Sequence, residues 1–102
     1  MRLNPEEINA IRNCVSEVFG PETPVWLFGS RVDDRQRGGD IGLFLETTLG
    51  IEERLRRRFR LLGQLQRLLG EQRIDLVLAD PNDPQDSGRL VVREAKANGV
   101  RL

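Results

Sequence analysis

Apolar residues recur along this chain at two different spacings, and the change of spacing separates helices from strands. Steps of three and four residues are typical of one face of a helix, whereas short apolar or alternating runs between turn residues are typical of strands. The pattern predicts helices over 5–19, 51–69 and 89–98, and strands over 25–28, 40–45, 73–79 and 100–102. This order of elements indicates an α/β fold in which a small sheet packs against helices.

The first predicted helix has clear start and stop signals. Asn4 is a suitable N-cap, Pro5 suits the first helical position, and Glu7 stands where a capping box needs an acid. Gly20 and Pro21 end the helix, because neither residue continues it. The apolar residues expected to face the core are Ile8, Ile11, Val15, Val18 and Phe19.

The helix predicted over 51–69 combines an apolar stripe with a run of arginines. The stripe consists of Ile51, Leu55, Phe59, Leu62, Leu65 and Leu69, and the arginines are Arg54, Arg56, Arg57, Arg58 and Arg60. Such a run is usually a solvated helix face, and a second interpretation is a basic surface for an acidic partner protein or RNA. Gly63 within this helix is expected to allow close packing on a strand.

The last predicted helix is short and is followed by a glycine. Leu90, Val91 and Ala95, with Val92 as a further candidate, are expected to face the core from it, and Gly99 is expected to end it. The final residues would then add a short strand at the edge of the sheet.

Alternation along the two later strands divides their side chains between two faces of the sheet. Ile41, Leu43 and Leu45 share one face, which leaves Asp40, Gly42, Phe44 and Glu46 on the other. In the strand over 73–79, Ile74, Leu76 and Leu78 share a face, and Asp75 points the opposite way with Val77 and Ala79. Each strand therefore has one apolar face and one face that carries a carboxylate.

Composition narrows the class of protein. The 102 residues, read as one domain over 1–102, carry 16 basic and 16 acidic side chains, so net charge favours neither nucleic acid nor membrane. The chain has no histidine, which excludes histidine acid–base chemistry and zinc–histidine sites. Cys14 is the single cysteine and is expected to be a small buried thiol, which fits a reducing cytoplasm. No apolar run reaches the roughly 18 residues of a membrane span.

The candidate chemistry lies around the end of the first strand. Gly29 and Ser30 follow a buried apolar strand, where glycine lets the backbone approach an anion and the serine hydroxyl can donate to it. Arg31 follows at once, and it either contacts a nucleotide or shapes the turn. Asp40 opens the next strand, where a metal ion could bridge it to bound phosphates. The pattern indicates a phosphate cradle facing a carboxylate.

Two further positions decide what this site can do. Asp75 is either a structural carboxylate with its own partners or a further acid of the Asp40 site. Residues two apart on a strand point the same way, about 6.6 Å apart, so a carboxylate at position 42 would join Asp40 at one ion. That position holds Gly42, which offers no ligand.

These motifs resemble those of the minimal nucleotidyltransferases, small relatives of the DNA polymerase β palm. The segments that carry the resemblance are FGSR at 28–31, GDIGL at 39–43 and IDLVL at 74–78. The resemblance implies a polymerase β-like palm, an α+β fold with a small mixed sheet packed against helices. Many members are antitoxins paired with a HEPN-domain ribonuclease toxin, onto whose tyrosine hydroxyl they transfer AMP from ATP.

The resemblance also assigns roles to individual residues. Gly29 and Ser30, with Arg31 beside them, would hold the triphosphate of ATP. Asp40 would bind Mg²⁺, and Asp75 would be the third acid, either as base or as a second metal ligand. Position 42 departs from the pattern, because the family has aspartate where this chain has glycine. A chain of this kind is expected to form a hetero-oligomer with its toxin.

The glycine at position 42 leaves two functions open. The first is an ATP- and Mg²⁺-dependent nucleotidyltransferase that adenylylates a HEPN toxin. The second is a catalytically impaired antitoxin that neutralises the toxin by forming a complex with it. A third interpretation, nucleic-acid binding through the arginine run, is disfavoured by the zero net charge.

Overall fold

The computed structural model describes residues 3–29 and 40–102. In chain order these residues form helix α1 Pro5–Phe19, strand β1 Val25–Phe28, strand β2 Ile41–Glu46, helix α2 Ile51–Leu69, strand β3 Ile74–Ala79, helix α3 Pro84–Ser87, helix α4 Leu90–Asn98 and strand β4 Val100–Arg101. The α+β fold class predicted from the sequence is confirmed. The short α3 lies between residues 80 and 88, where the sequence pattern predicts neither a helix nor a strand.

The four strands form one mixed sheet in the order β3-β2-β1-β4. β1 pairs antiparallel with both β2 and β4, and β2 pairs parallel with β3. A parallel pair cannot be joined by a tight turn, so α2 makes the connection between β2 and β3. As a result, the last residues of β1 and the first residues of β2 and β3 lie at the same end of the sheet.

Helix α1 begins and ends as its sequence predicts. The Asn4 side chain accepts a hydrogen bond from the backbone N–H of Glu7 at 2.8 Å, and the Glu7 carboxylate accepts one from the backbone N–H of Asn4 at 3.1 Å. Together these bonds satisfy donors that the first turn would otherwise leave without partners. The helix ends at Gly20, whose φ of 116° suits glycine.

The main hydrophobic core lies between α1, α2 and one face of the sheet, called here the core face. Its strand residues are Val25, Leu27, Ile41, Leu43, Leu45, Leu76 and Leu78, and its helix residues include Ile11, Cys14, Val15, Val18, Leu61 and Leu65. The predicted sharing of a face by the alternating residues of β2 and β3 is confirmed. Cys14 is buried as predicted, and desolvation raises the pKa of its thiol.

The apolar stripe of α2 does not face the core over the first half of the helix. Ile51, Leu55 and Phe59 are 79%, 53% and 67% exposed. Here the helix presents three arginines to the protein instead. Arg58 donates to the carbonyl oxygen of Leu76, Arg54 to that of Leu49 and Arg57 to that of Val18. These guanidinium groups satisfy backbone acceptors that an apolar side chain would leave without partners.

The prediction of a solvated arginine face is therefore wrong for three of the five arginines. Arg54, Arg57 and Arg58 are half-buried, and burial together with the nearby charge of Arg89 lowers the pKa of Arg58. Arg56, by contrast, is exposed and pairs with Glu53 at 2.6 Å. Gly63 is exposed, and a Cβ built on it would meet no atom within 4 Å, so the expected close packing on a strand is also wrong.

Helix α4 covers the opposite face of the sheet, called here the open face. Val92 and Ala95 are its buried residues, whereas Leu90 is 72% and Val91 37% exposed. The expected inward orientation is confirmed for Val92 and Ala95 and wrong for Leu90 and Val91, because a nine-residue helix on a small sheet buries only a narrow side. Among the described residues, no helix is long and apolar enough to cross a membrane.

Candidate functional site

The open face carries all the candidate side chains that the structure describes. The strand residues pointing to this face are Trp26, Phe28, Gly42, Phe44, Glu46, Asp75, Val77, Ala79 and Arg101. Only a small cluster of them, together with Val92 and Ala95 of α4, forms a second core. The remainder of the face, at the end of the sheet where β2 and β3 begin, holds the candidate site.

Gly29 lies at the end of β1 in a conformation that favours glycine. Its φ is +85°, its residue surface is exposed, and a Cβ built there would meet no atom within 4 Å. The choice of glycine is therefore explained by backbone conformation and not by crowding. Ser30 and Arg31, the other two residues assigned to the triphosphate, lie outside the described residues, so their roles stay predictions.

Asp40 stands immediately before β2 and forms one ion pair. Its Oδ2 lies 3.4 Å from Nε of Arg73, and the two side chains are 43% and 78% exposed. The backbone also joins the two segments, since the N–H of Ile41 donates to the carbonyl oxygen of Arg73 at 2.9 Å. An exposed pair of this kind contributes about 0–1 kcal/mol, so a metal ion could displace the guanidinium from Asp40.

Asp75 is the second residue of β3 and lies opposite Gly42 in the parallel register. Its residue surface is exposed, and its side chain has no hydrogen bond or ion pair with any residue in the described part of the chain. This is not the environment of a structural carboxylate with its own partners. From strand geometry, the Cα atoms of Asp40 and Asp75 are about 8 Å apart, close enough for both carboxylates to approach one ion.

Gly42 is enclosed by Phe28, its partner on β1. A Cβ built on Gly42 would lie 2.6 Å from the carbonyl oxygen of Phe28 and 3.0 Å from two carbons of its ring. The first contact is with backbone, which cannot move aside cheaply, so any side chain at position 42 requires the strands to shift. An aspartate at this position would therefore not fit the present geometry, and restoring it would also disturb the β1–β2 pairing.

The two described carboxylates of the site, Asp40 and Asp75, are enough to hold one magnesium ion and too few to hold two. Mg²⁺ in phosphoryl-transfer sites is held by one or two carboxylates, with phosphate oxygens and water completing six ligands. Asp40 and Asp75 supply that number. Among the described residues there is no group of three or more metal-ligating side chains, and Phe28 fills the space for a third at position 42. Glu46 is held elsewhere, 3.0 Å from Lys96.

Trp26 belongs to the second core and not to the site. Its ring stacks on Phe44 with centroids 5.1 Å apart, and Lys96 and Arg101 lie over it at 5.6 and 5.1 Å. Trp26 is therefore a packing residue of the second core. The two cations cover the indole ring, which explains how a half-buried tryptophan is accommodated at this face.

Sequence reasoning missed a pocket next to the cradle. A cavity of about 350 Å³ lies between the end of β1 and α4, lined by Phe28, Gly29, Val91, Glu94, Ala95 and Asn98. The four residues of α4 stand at positions i, i+3, i+4 and i+7, so they share one side of the helix. That spacing is visible in the sequence, but it does not show that the side faces a cavity.

Comparison with known proteins identifies no family for this chain. No family model matches the sequence, and no curated protein matches it either. The resemblance to the minimal nucleotidyltransferases therefore rests on the three short motifs at 28–31, 39–43 and 74–78.

Proposed function

We propose that this chain is a nucleotidyltransferase domain that binds Mg²⁺-ATP and transfers AMP to a tyrosine hydroxyl of a HEPN ribonuclease toxin. The observation that carries the proposal is the strand register. Phe28 and Asp75 both lie opposite Gly42, so the cradle at Gly29, the carboxylate of Asp40 and that of Asp75 lie at one end of the sheet. A nucleotide phosphate bound at Gly29 would be within reach of both acids.

The transfer itself requires one bond to form and one to break. The tyrosine oxygen bonds to the α-phosphorus of ATP, the bond from that phosphorus to the oxygen bridging to the β-phosphate breaks, and pyrophosphate leaves. Asp75, exposed and without a partner in the described part of the chain, is the group we assign to accept the hydroxyl proton. Bound magnesium, held by Asp40 and Asp75, would neutralise charge on the phosphates.

Transfer is tested with ATP labelled at the α-phosphate. The chain and Mg²⁺ are incubated with the labelled ATP and a HEPN-domain toxin that binds the chain, and we expect label on the toxin. The same incubation with γ-labelled ATP should leave that protein unlabelled, because the γ-phosphate leaves with pyrophosphate. Asp40→Asn and Asp75→Asn should each abolish labelling. If the unaltered chain forms a complex with the HEPN protein and still leaves it unlabelled, the proposed enzymatic activity is refuted.

The alternative is an antitoxin that neutralises its toxin by forming a complex, without transfer. The packing of Phe28 over Gly42 favours it, since this packing removes the place of a third carboxylate. The exposed Ile51, Leu55 and Phe59 of α2 offer an apolar contact surface for such a partner. In this case Asp40→Asn and Asp75→Asn would leave neutralisation intact.

The contact surface of the alternative has its own test. Phe59→Glu places a charge on the exposed stripe and should weaken the complex, measured by co-purification and by survival of cells that express the toxin. Leu68→Glu is the matched control, because Leu68 is a similarly exposed apolar residue of the same helix outside that stripe. Equal effects of the two substitutions would exclude the stripe as the contact. A cytoplasmic location, suggested by the free thiol of Cys14, is part of the same proposal.

A further inference from the structure

The pocket between β1 and α4 has the position of a site for part of a larger ligand. Its volume is about 350 Å³, and Gly29, the first residue of the phosphate cradle, is one of its lining residues. A ligand that places phosphates at the cradle can therefore place a flat group in this pocket. Phe28 on one side and Val91 with Ala95 on the other make its walls apolar.

The rim of the pocket is polar, and one hydrogen bond determines which groups on the rim can accept further hydrogen bonds. The amide nitrogen of Asn98 donates to Oε2 of Glu94 at 2.9 Å. This bond orients the amide, so the Asn98 carbonyl oxygen and the Glu94 carboxylate are both available as acceptors. Two hydrogen-bond acceptors on one side of the pocket match a ligand group that is a hydrogen-bond donor. They disfavour a ligand carbonyl group at the same place.

We propose that this pocket binds the base of a purine nucleotide through an exocyclic amino group of the base. The apolar walls would contact the faces of the ring, and Glu94 and Asn98 would accept hydrogen bonds from the amino group. The inference rests on the proposed function, because that function supplies the nucleotide. Adenine and guanine both carry such a group, so the shared chemistry is an aminopurine.

The experiment separates the two halves of the nucleotide. Nucleosides carry the base without phosphates, whereas Mg²⁺ tripolyphosphate carries phosphates without a base. Binding of each to the full chain is followed by NMR at the methyl groups of Val91 and the amide of Gly99. Two matched pairs isolate the amino group: adenosine against purine riboside, and guanosine against inosine. In at least one pair, we expect the amino-bearing nucleoside to bind roughly 5- to 10-fold more tightly, the effect of one hydrogen bond.

Substitutions on α4 locate the binding. Val91→Trp should fill the pocket and abolish nucleoside binding while tripolyphosphate still binds. Ala97→Trp, an exposed position of the same helix outside the pocket lining, is the control and should change neither. Glu94→Ala should remove the difference within the preferred pair while the deaminated nucleoside still binds.

Each remaining outcome decides against the pocket or against the cradle. If tripolyphosphate binds and nucleosides do not, the pocket inference is wrong and the proposed function stands. If nucleosides bind as proposed and tripolyphosphate does not, the proposed function loses its phosphate site while the pocket is supported. Equal binding within both matched pairs, unchanged nucleoside binding in Val91→Trp, or no binding of any probe overturns the pocket inference.

Discussion

The two faces of the sheet are built from the same four strands and have different compositions. On the core face, every strand residue is apolar, and Leu27, Ile41, Leu43 and Leu45 are fully excluded from solvent. On the open face, glycine and aspartate stand among the aromatic residues, and a pocket remains under α4. The difference indicates that stability comes mainly from one face, while the other leaves surface, carboxylates and space available for a ligand.

The strict alternation of a strand makes this division possible. A step of one residue along β2 moves a side chain from the sealed core to the candidate site. Neighbouring positions such as Gly42 and Leu43 are therefore expected to respond to substitution for different reasons. Four measurements test the division, in order of decreasing effect on stability.

The largest loss of stability is expected on the core face. Leu43 is fully buried, so Leu43→Ala removes apolar contacts and leaves a cavity, and it should lower the free energy of unfolding by about 2–5 kcal/mol. Urea denaturation measures the change. Leu90→Ala is the control, because Leu90 is 72% exposed and its truncation should have little effect. Similar losses in the two variants would contradict the assignment of the core.

The next effect concerns the crowded glycine of the open face. Gly42→Ala introduces a Cβ 2.6 Å from the carbonyl oxygen of Phe28, and it should destabilise the protein by about 1–3 kcal/mol, as overpacking does. Gly63→Ala is the matched comparison, since Gly63 lies in α2 with open space around it. There alanine should stabilise by roughly 0.5–1 kcal/mol, its advantage over glycine in a helix. Thermal unfolding of both variants measures the contrast, and a stable Gly42→Ala protein would refute the crowding.

A charged cluster at the edge of β3 connects α2 to the segment that leads into α4. Asp86 accepts hydrogen bonds from the backbone N–H of Asp80 at 2.7 Å and from Arg54 at 2.9 Å, and it lies 3.1 Å from Arg89. Burial raises the pKa of the Asp86 carboxyl, but these bonds and charges outweigh burial and lower the pKa below its usual value. The ionised form is therefore favoured in the folded protein.

The pH dependence of this cluster has a definite sign. A carboxyl with a lowered pKa in the folded state contributes stability above its unfolded pKa, about 3.9, and the contribution is lost as pH falls through the folded pKa. Asp86→Asn should cost roughly 1 kcal/mol at pH 7, since the amide keeps one acceptor but loses the charge. The difference in the free energy of unfolding between the unaltered protein and Asp86→Asn should be constant from pH 7 to 5. It should disappear below about pH 4. A difference that persists below pH 4 would show that the charge of Asp86 does not cause the loss of stability.

The smallest effect on stability is expected at the candidate site itself. Asp75 is exposed and has no partner within the described residues, so Asp75→Asn should change the free energy of unfolding by less than about 0.5 kcal/mol. Under the proposed function, the same variant should lose most of its Mg²⁺-dependent affinity for ATP in a calorimetric titration. Unchanged affinity would separate Asp75 from the metal, and a large loss of stability would give it a structural role.

Much of the fold could be predicted because it depends on local signals. The capping box of Asn4 and Glu7 specifies where α1 begins, and the run of apolar residues at 25–28 matches β1 residue for residue. The misplaced residues of α2 and α4 show where local pattern fails. Leu55 and Phe59 continue an apolar stripe perfectly in the sequence, but their exposure depends on how far α2 extends beyond the core.

The candidate site, too, could be predicted from the sequence only in part. That Asp40 and Gly42 share a strand face follows from alternation alone. That Asp75 faces Gly42 depends on the parallel register, which pairs residues 33 positions apart in the sequence, from Gly42↔Asp75. The pocket beside Gly29 depends on where α4 lies over β1, and no local signal encodes that placement.

The sequence by itself determined the local structure and the chemical groups. It specifies which residues form strands and which face of the sheet each side chain takes. It also places glycine at position 42, where an aspartate would add a third carboxylate to the site. These properties depend on near neighbours along the chain. Only the tertiary structure decided what surrounds those groups. The Phe28 carbonyl and ring enclose Gly42, and the first half of α2 lies outside the core. Both are contacts between segments distant in sequence, set by packing, for which one chain's pattern of residues carries no direct signal.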